Sequence, residues 1–100
     1  MALAQRPKVD RLVLTLQSTE YPYTFPRAIA SFDMQVRQSV DVRLATTAGG
    51  TSLEPYLTLK SDRVYYKDIP VEHREFTYYF LDPSNAGTVI EFMLWEEIGA

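Results

Sequence analysis

The chain has no cysteine, one histidine and four glycines, and its apolar runs never exceed a few residues. Lack of cysteine excludes disulfide staples and thiolate metal sites, and it suits a protein made in a reducing cytoplasm. The lone histidine, His73, has no second histidine or cysteine with which to build a zinc site or a triad. It sits among Glu72, Arg74 and Glu75, a solvated charge run, and reads as a surface residue. A membrane span needs about 20 apolar residues in a row, and nothing here approaches that, so no membrane contact is expected. The opening "MALAQRPKVD" lacks the apolar stretch of a secretory signal, and none is expected. Ten basic and thirteen acidic side chains are scattered along the chain, for a net charge of −3. With no basic run to neutralise a row of phosphates, nucleic acid is not expected as a direct partner.

What is present points to strands. One hundred residues suffice for one domain with a modest core. The 13% aromatic share favours β-structure over disorder. No helical period persists for ten residues, whereas strand signals recur throughout. "VDRLVLTLQ" places Leu12, Leu14 and Leu16 on one face and Arg11, Thr15 and Gln17 on the other. "STEYPYTFP" reads as an irregular crossing, because Pro22 and Pro26 cannot donate to a ladder. Residues 1–8 hold no core positions and read as a flexible N-terminal arm, with a single domain over 9–100.

From Ala28 to Leu44 the even positions Ala28, Ala30, Phe32, Met34, Val36, Val40, Val42 and Leu44 are apolar. The odd positions Asp33, Gln35, Arg37, Asp41 and Arg43 are polar. A two-residue hairpin loop at Gln38-Ser39 would pair Val36 with Asp41 and bring a charge into the core. An odd loop centred on Ser39 pairs Val36 with Val42 and Met34 with Leu44, and is therefore the expected register. "YLTLK", "RVYY", "FTYYFL" and "TVIEFMLWEE" follow, separated by turn chemistry such as "DPSNAG". The total of about seven or eight short strands predicts an all-β antiparallel sandwich or jelly roll, with a small closed barrel as the alternative.

The last strand has two apolar faces: Ile90, Phe92 and Leu94 on one, and Val89, Met93 and Trp95 around Glu91 on the other. A solvated face does not carry valine, methionine and tryptophan together. Tyr65, Tyr66, Tyr78 and Tyr79 likewise put rings on both faces of neighbouring strands. Either a curved sheet covers both faces, or one face meets another protein chain. Val89, Met93, Trp95, Tyr65 and Tyr79 are the candidate interface residues under the second reading. Glu91, a charge within this apolar face, predicts an arginine partner from a neighbouring strand or chain.

The loop "TTAGGTS" is the one stretch with a phosphate-like appearance. It lacks the lysine and the helix that a nucleotide loop requires, and Leu53 leads into a strand. Gly49 and Gly50 instead suit a long surface loop or an intersubunit contact. The carboxylates form no catalytic constellation. Asp33 and Asp41 fall on the polar face of the expected hairpin, where Arg37 and Arg43 offer ion-pair partners. No catalytic residue, metal site or cofactor is expected, and an enzymatic role is not.

The run from "DVRLA" (Asp41–Ala45) through Gly49–Gly50 and "YLTLK" (Tyr56–Lys60) to the close at Tyr79–Glu96 resembles small cysteine-free proteins. These are encoded among the morphogenesis genes of tailed bacteriophages. The resemblance covers roughly the last sixty residues, and the order of the pieces carries it. It implies a jelly-roll virion component assembled in the host cytoplasm: a capsid cement or decoration protein that binds the major capsid protein and its own copies as a dimer or trimer. The alternative it leaves open is a carbohydrate-binding or host-recognition module of a tail fibre. It implies no catalytic residues.

Overall fold

The computed structural model describes residues 4–53, 55–69 and 75–98. Eight strands run in order: β1 (Ala4–Leu14), β2 (Tyr21–Thr24), β3 (Ile29–Val36), β4 (Val42–Ala45), β5 (Leu57–Leu59), β6 (Tyr65–Asp68), β7 (Thr77–Leu81) and β8 (Thr88–Ile98). No helix occurs among the described residues. The strands form two four-stranded sheets, ordered β1-β8-β3-β6 and β2-β7-β4-β5, with every pairing antiparallel. The pairs β1·β8, β2·β7, β3·β6 and β4·β5 are the rungs of one long hairpin whose arms are β1–β4 and β5–β8. Rolling that hairpin drops alternate rungs into opposite sheets, and β3·β8 and β4·β7 complete each sheet. This is the expected sandwich, in jelly-roll order.

The two sheets meet over an aromatic core. Phe25 lies at its centre, fully buried, with its ring 4.5–5.7 Å from those of Tyr23, Phe32, Phe76, Tyr78 and Phe92. Edge-to-face and offset contacts of this kind add to the area that each ring removes from water. Ile90, Phe92 and Leu94 of β8 face this core and are essentially inaccessible. The even-numbered set Ala30, Phe32, Met34, Val36, Val42 and Leu44 is buried too, as its alternation requires.

The hairpin built on that alternation does not form. β3 pairs with β8 and β6, whereas β4 pairs with β7 and β5 in the other sheet. Val36 is opposite Ile90, and Val42 is opposite Leu59. Residues 37–41 therefore arch between sheets. Two strands facing each other across a core need the same inward set as two strands side by side, so the period alone does not separate an arch from a hairpin. The arch is held by Gln38, whose Nε2 donates to the Gly87 carbonyl (3.1 Å) and whose Oε1 accepts from the Val89 amide (2.9 Å).

Two further expectations change. The proline-rich crossing contains β2, with Pro22 opposite Tyr79. β2 is the outermost strand of its sheet, a place where a missing N–H breaks no ladder. The described part of the N-terminal arm, Ala4–Lys8, is also strand, paired with Ile98–Leu94. It is held by ladder hydrogen bonds and by Arg6 against Glu96 (2.9 Å) rather than by burial, so its polar composition gave no sign of it.

Candidate protein interface on an outer sheet face

Register fixes which side chains share the outer face of the β1-β8-β3-β6 sheet. Val13 lies beside Val89, Arg11 beside Glu91 and Val9 beside Met93, and Pro7 lies beside Trp95. Across β8, Gln35 neighbours Glu91, Asp33 neighbours Met93, and Tyr66 follows Asp33 on β6. Val9 (73%), Val64 (61%), Tyr66 (58%) and Val13 (40%) are the exposed apolar side chains here. Met93 and Trp95 are half-buried between them. Val9, Asp33, Gln35, Val64, Glu91 and Met93 line a shallow depression in this face.

The arginine expected beside Glu91 is Arg37, just beyond β3. Its Nε donates to Glu91 Oε2 at 2.9 Å, and Gln35 Nε2 donates to Oε1 at 3.0 Å. The Gln35 and Arg37 hydrogen bonds outweigh desolvation and hold the Glu91 carboxyl below its ordinary range. Glu91 is thus an internally satisfied charge. Asp33 is half-buried two residues along the sheet face, and among the described residues neither it nor Arg11 forms an ion pair.

This sheet has two outermost strands, β1 and β6, and the β1 edge is blunted. Pro7 offers no N–H, and the Arg11 amide donates to the Oδ1 of its neighbour Asp10 (2.8 Å). Asp10 Oδ2 accepts from the Tyr23 hydroxyl (2.7 Å), and Tyr23 stacks on Phe92 with ring centroids 4.2 Å apart. Burial and then the bond to Asp10 push the Tyr23 hydroxyl well above its ordinary value, so it stays a donor. β1 is therefore a poor template for strand addition, which leaves the sheet face as the candidate contact surface on this side of the molecule.

The remaining candidate residues lie elsewhere. Tyr65 packs against the core, and its hydroxyl accepts from the Lys60 amide (2.8 Å). Tyr79 lies on the outer face of the other sheet, between Pro22 and Ala45. Gly49 and Gly50 belong to a loop folded back on that same sheet. A Cβ on Gly50 would stand 2.8 Å from the Ala45 Cβ, and Gly49 has φ +82°, so close approach and a left-handed turn explain the two glycines. The loop does cradle an anion, namely the chain's own Glu20. Its carboxylate accepts from the Gly49 amide (2.8 Å), the Thr51 amide (3.4 Å) and the Thr51 hydroxyl (2.5 Å). Asp33 lies in β3 whereas Asp41 ends the arch before β4, where it pairs with Lys60 (3.0 Å). His73 is outside the described residues. Among the described residues, no three His, Asp or Glu side chains converge as metal ligands would.

Val9, Val13 and Val64 were not picked out from the sequence, and Tyr66 was noted only as one of the rings on both faces, although "VDRLV" carries a signal. Its valines alternate with Arg11, so the face opposite Leu12 and Leu14 is also apolar. Glu20 had none, because its partners, two backbone amides and the Thr51 hydroxyl, lie about thirty residues away. The chain matches no protein-family model, no curated protein and no solved structure.

Proposed function

We propose that the chain is a non-enzymatic structural protein of a tailed-phage particle, a cement or decoration protein that clamps capsid protein and its own copies. The observation that carries this reading is the outer face of the β1-β8-β3-β6 sheet. Val9, Val13, Val64, Tyr66, Met93 and Trp95 form an apolar surface there, interrupted by the internally paired Glu91 and by Arg11 and Asp33. Covering such a face contributes roughly 25 cal/mol per Å² of apolar area before the costs of association. A rigid sandwich with a blunted edge offers that face without inviting strand-to-strand aggregation, which suits repeated docking on a lattice. The phage-like order of elements from Asp41 to Glu96 supports the choice of particle.

The carbohydrate-binding reading draws less support. Tyr21, Tyr23, Tyr65 and Tyr78 pack against the core, and the Tyr56 ring is covered by the Arg43 guanidinium at 4.6 Å. Few open ring faces remain for a sugar. Mass spectrometry of purified particles from the phage that encodes the chain should find it in stoichiometric copy number. A map of the same particle should show an eight-stranded sandwich on the shell. Absence from the particle would overturn the reading.

A further inference from the structure

We propose that the apolar outer face of the β1-β8-β3-β6 sheet is self-complementary, and that a second copy of this chain covers it through a two-fold axis pairing Arg11 of each copy with Asp33 of the other. The proposal rests on the reading of this face as an interface, and it names the occupant.

The argument starts from two charges. Asp33 is half-buried beside Met93 and near exposed Val64, with no cation against it among the described residues. Arg37, on the same face, is already committed to Glu91. Arg11 is exposed and lies two strands and one residue pair away. On a grid of about 4.8 Å between strands and about 3.4 Å per residue, that separation is roughly 12 Å, beyond any ion pair. Within one chain the two charges stay apart. An in-plane two-fold axis that sets Arg11 over the second copy's Asp33 brings them together twice, once at each end of the contact.

The axis that pairs these two charges also fixes where the apolar side chains fall. Reflecting the same grid through it lays Val9 against the second copy's Met93 and Val13 against its Tyr66. Oil thus meets oil wherever the charges are matched. The strands of the two copies would cross at about 70°, toward the orthogonal class of sheet packing. The footprint, four strands wide and about seven residues long, is roughly 400 Å² before side-chain relief. Over both copies that is about 800 Å², below the standard size of specific interfaces, so a weak dimer is expected and is sought in the micromolar range.

The test is sedimentation velocity across that range on the full chain, with Arg11→Asp, Asp33→Arg, the double exchange and Val9→Glu. The wild type should be a reversible dimer. Each single charge exchange should weaken it by about tenfold or more, because like charges then face each other at both ends. The double exchange should return the affinity to within about threefold of wild type, the coupling expected of residues in contact. Val9→Glu should be monomeric, with circular dichroism and melting unchanged, since Val9 is exposed in the single chain. A monomeric wild type, a dimer indifferent to these exchanges, or a double exchange that fails to recover would each overturn the proposal. Binding of Val9→Glu and wild-type chains to phage particles is read separately. Particle binding without dimerisation would leave the virion reading standing while the pairing falls, and a dimer that binds no particle would do the reverse.

Discussion

Replacing Glu20 with alanine removes the acceptor that fastens the loop after β4. Three donors converge on this carboxylate, and the Gly49 amide and Thr51 hydroxyl make the two short contacts, at 2.8 and 2.5 Å. Thr51 is fully buried, so water does not simply take the place of its lost partner. A hydrogen bond to a charged group contributes about 1.5–3 kcal/mol. Counting the two short bonds at the lower end, because Glu20 itself is partly exposed, gives about 3 kcal/mol for Glu20→Ala. In a chain of this length that corresponds to a fall in Tm of roughly 12–20 °C. Glu20→Gln keeps one acceptor oxygen but turns an amide donor toward the other contacts, so it should lose about half as much.

The same contacts set a pH dependence. Burial raises the Glu20 pKa, but the bonds from Thr51 and Gly49 outweigh it, and the carboxyl lies below its ordinary value of 4.5. A depressed folded-state pKa means that the stabilisation is complete above the unfolded value and is lost as pH falls through the folded one. Urea unfolding of wild type and Glu20→Gln should therefore differ most near neutral pH and converge as the pH falls below 4.5. Hydrogen exchange at the Gly49 and Thr51 amides should speed up in the variant. A Glu20→Ala protein that melts with the wild type, or a difference that persists unchanged in acid, would refute the assignment.

Two other substitutions probe the frame around this loop. Phe25→Ala empties the middle of the aromatic core and should cost about 3–5 kcal/mol by chemical denaturation; a loss below about 1 kcal/mol would mean that the core closes over the gap. Asp82 is fully buried and accepts from the Ser84 and Asn85 amides (2.9 and 3.0 Å) and from the Thr88 hydroxyl (2.5 Å). Asp82→Ala leaves those donors without their acceptor and should lower stability by about 3 kcal/mol, with Asp82→Asn in between, as read by urea midpoint; equal midpoints for all three would contradict this.

The elements of this fold were legible from the sequence wherever burial was one-sided. Phe32, Met34, Val36, Val42 and Leu44 declared their inward face by period, and Ile90, Phe92 and Leu94 did the same. Which strand each one sits beside was not legible. Period reports the face a residue turns and carries no information about its neighbour, so an arch at residues 37–41 looked like a hairpin. β2 and the start of β1 were hidden for another reason: Pro22 and Pro7 belong to outermost strands, where the usual objection to proline does not apply. In the candidate interface, Met93 and Trp95 stood out because they interrupt an expected polar face. Val9 and Tyr66 join them only through the registers of β1 and β6 on β8 and β3. The Glu20 latch joins a carboxylate to two backbone amides and one hydroxyl about thirty residues on, and backbone donors leave no mark in a sequence.

The pairing of β1 with β8 also bears on how the molecule is made. β8 is synthesised last of the eight strands, yet it lies between β1 and β3 and supplies Ile90, Phe92 and Leu94 to the core. Every strand of the other sheet has left the ribosome before β8 does, whereas β1 and β3 must wait, unpaired with each other, for the final eleven-residue strand to slot between them. Assembly of this sheet is therefore committed only once β8 has been made, by contacts that join the first and last of the described strands. Pairings so distant in sequence make for slow folding and leave a long interval in which apolar faces are uncovered. The rate at which β8 finds its place would then limit how fast the folded chain accumulates.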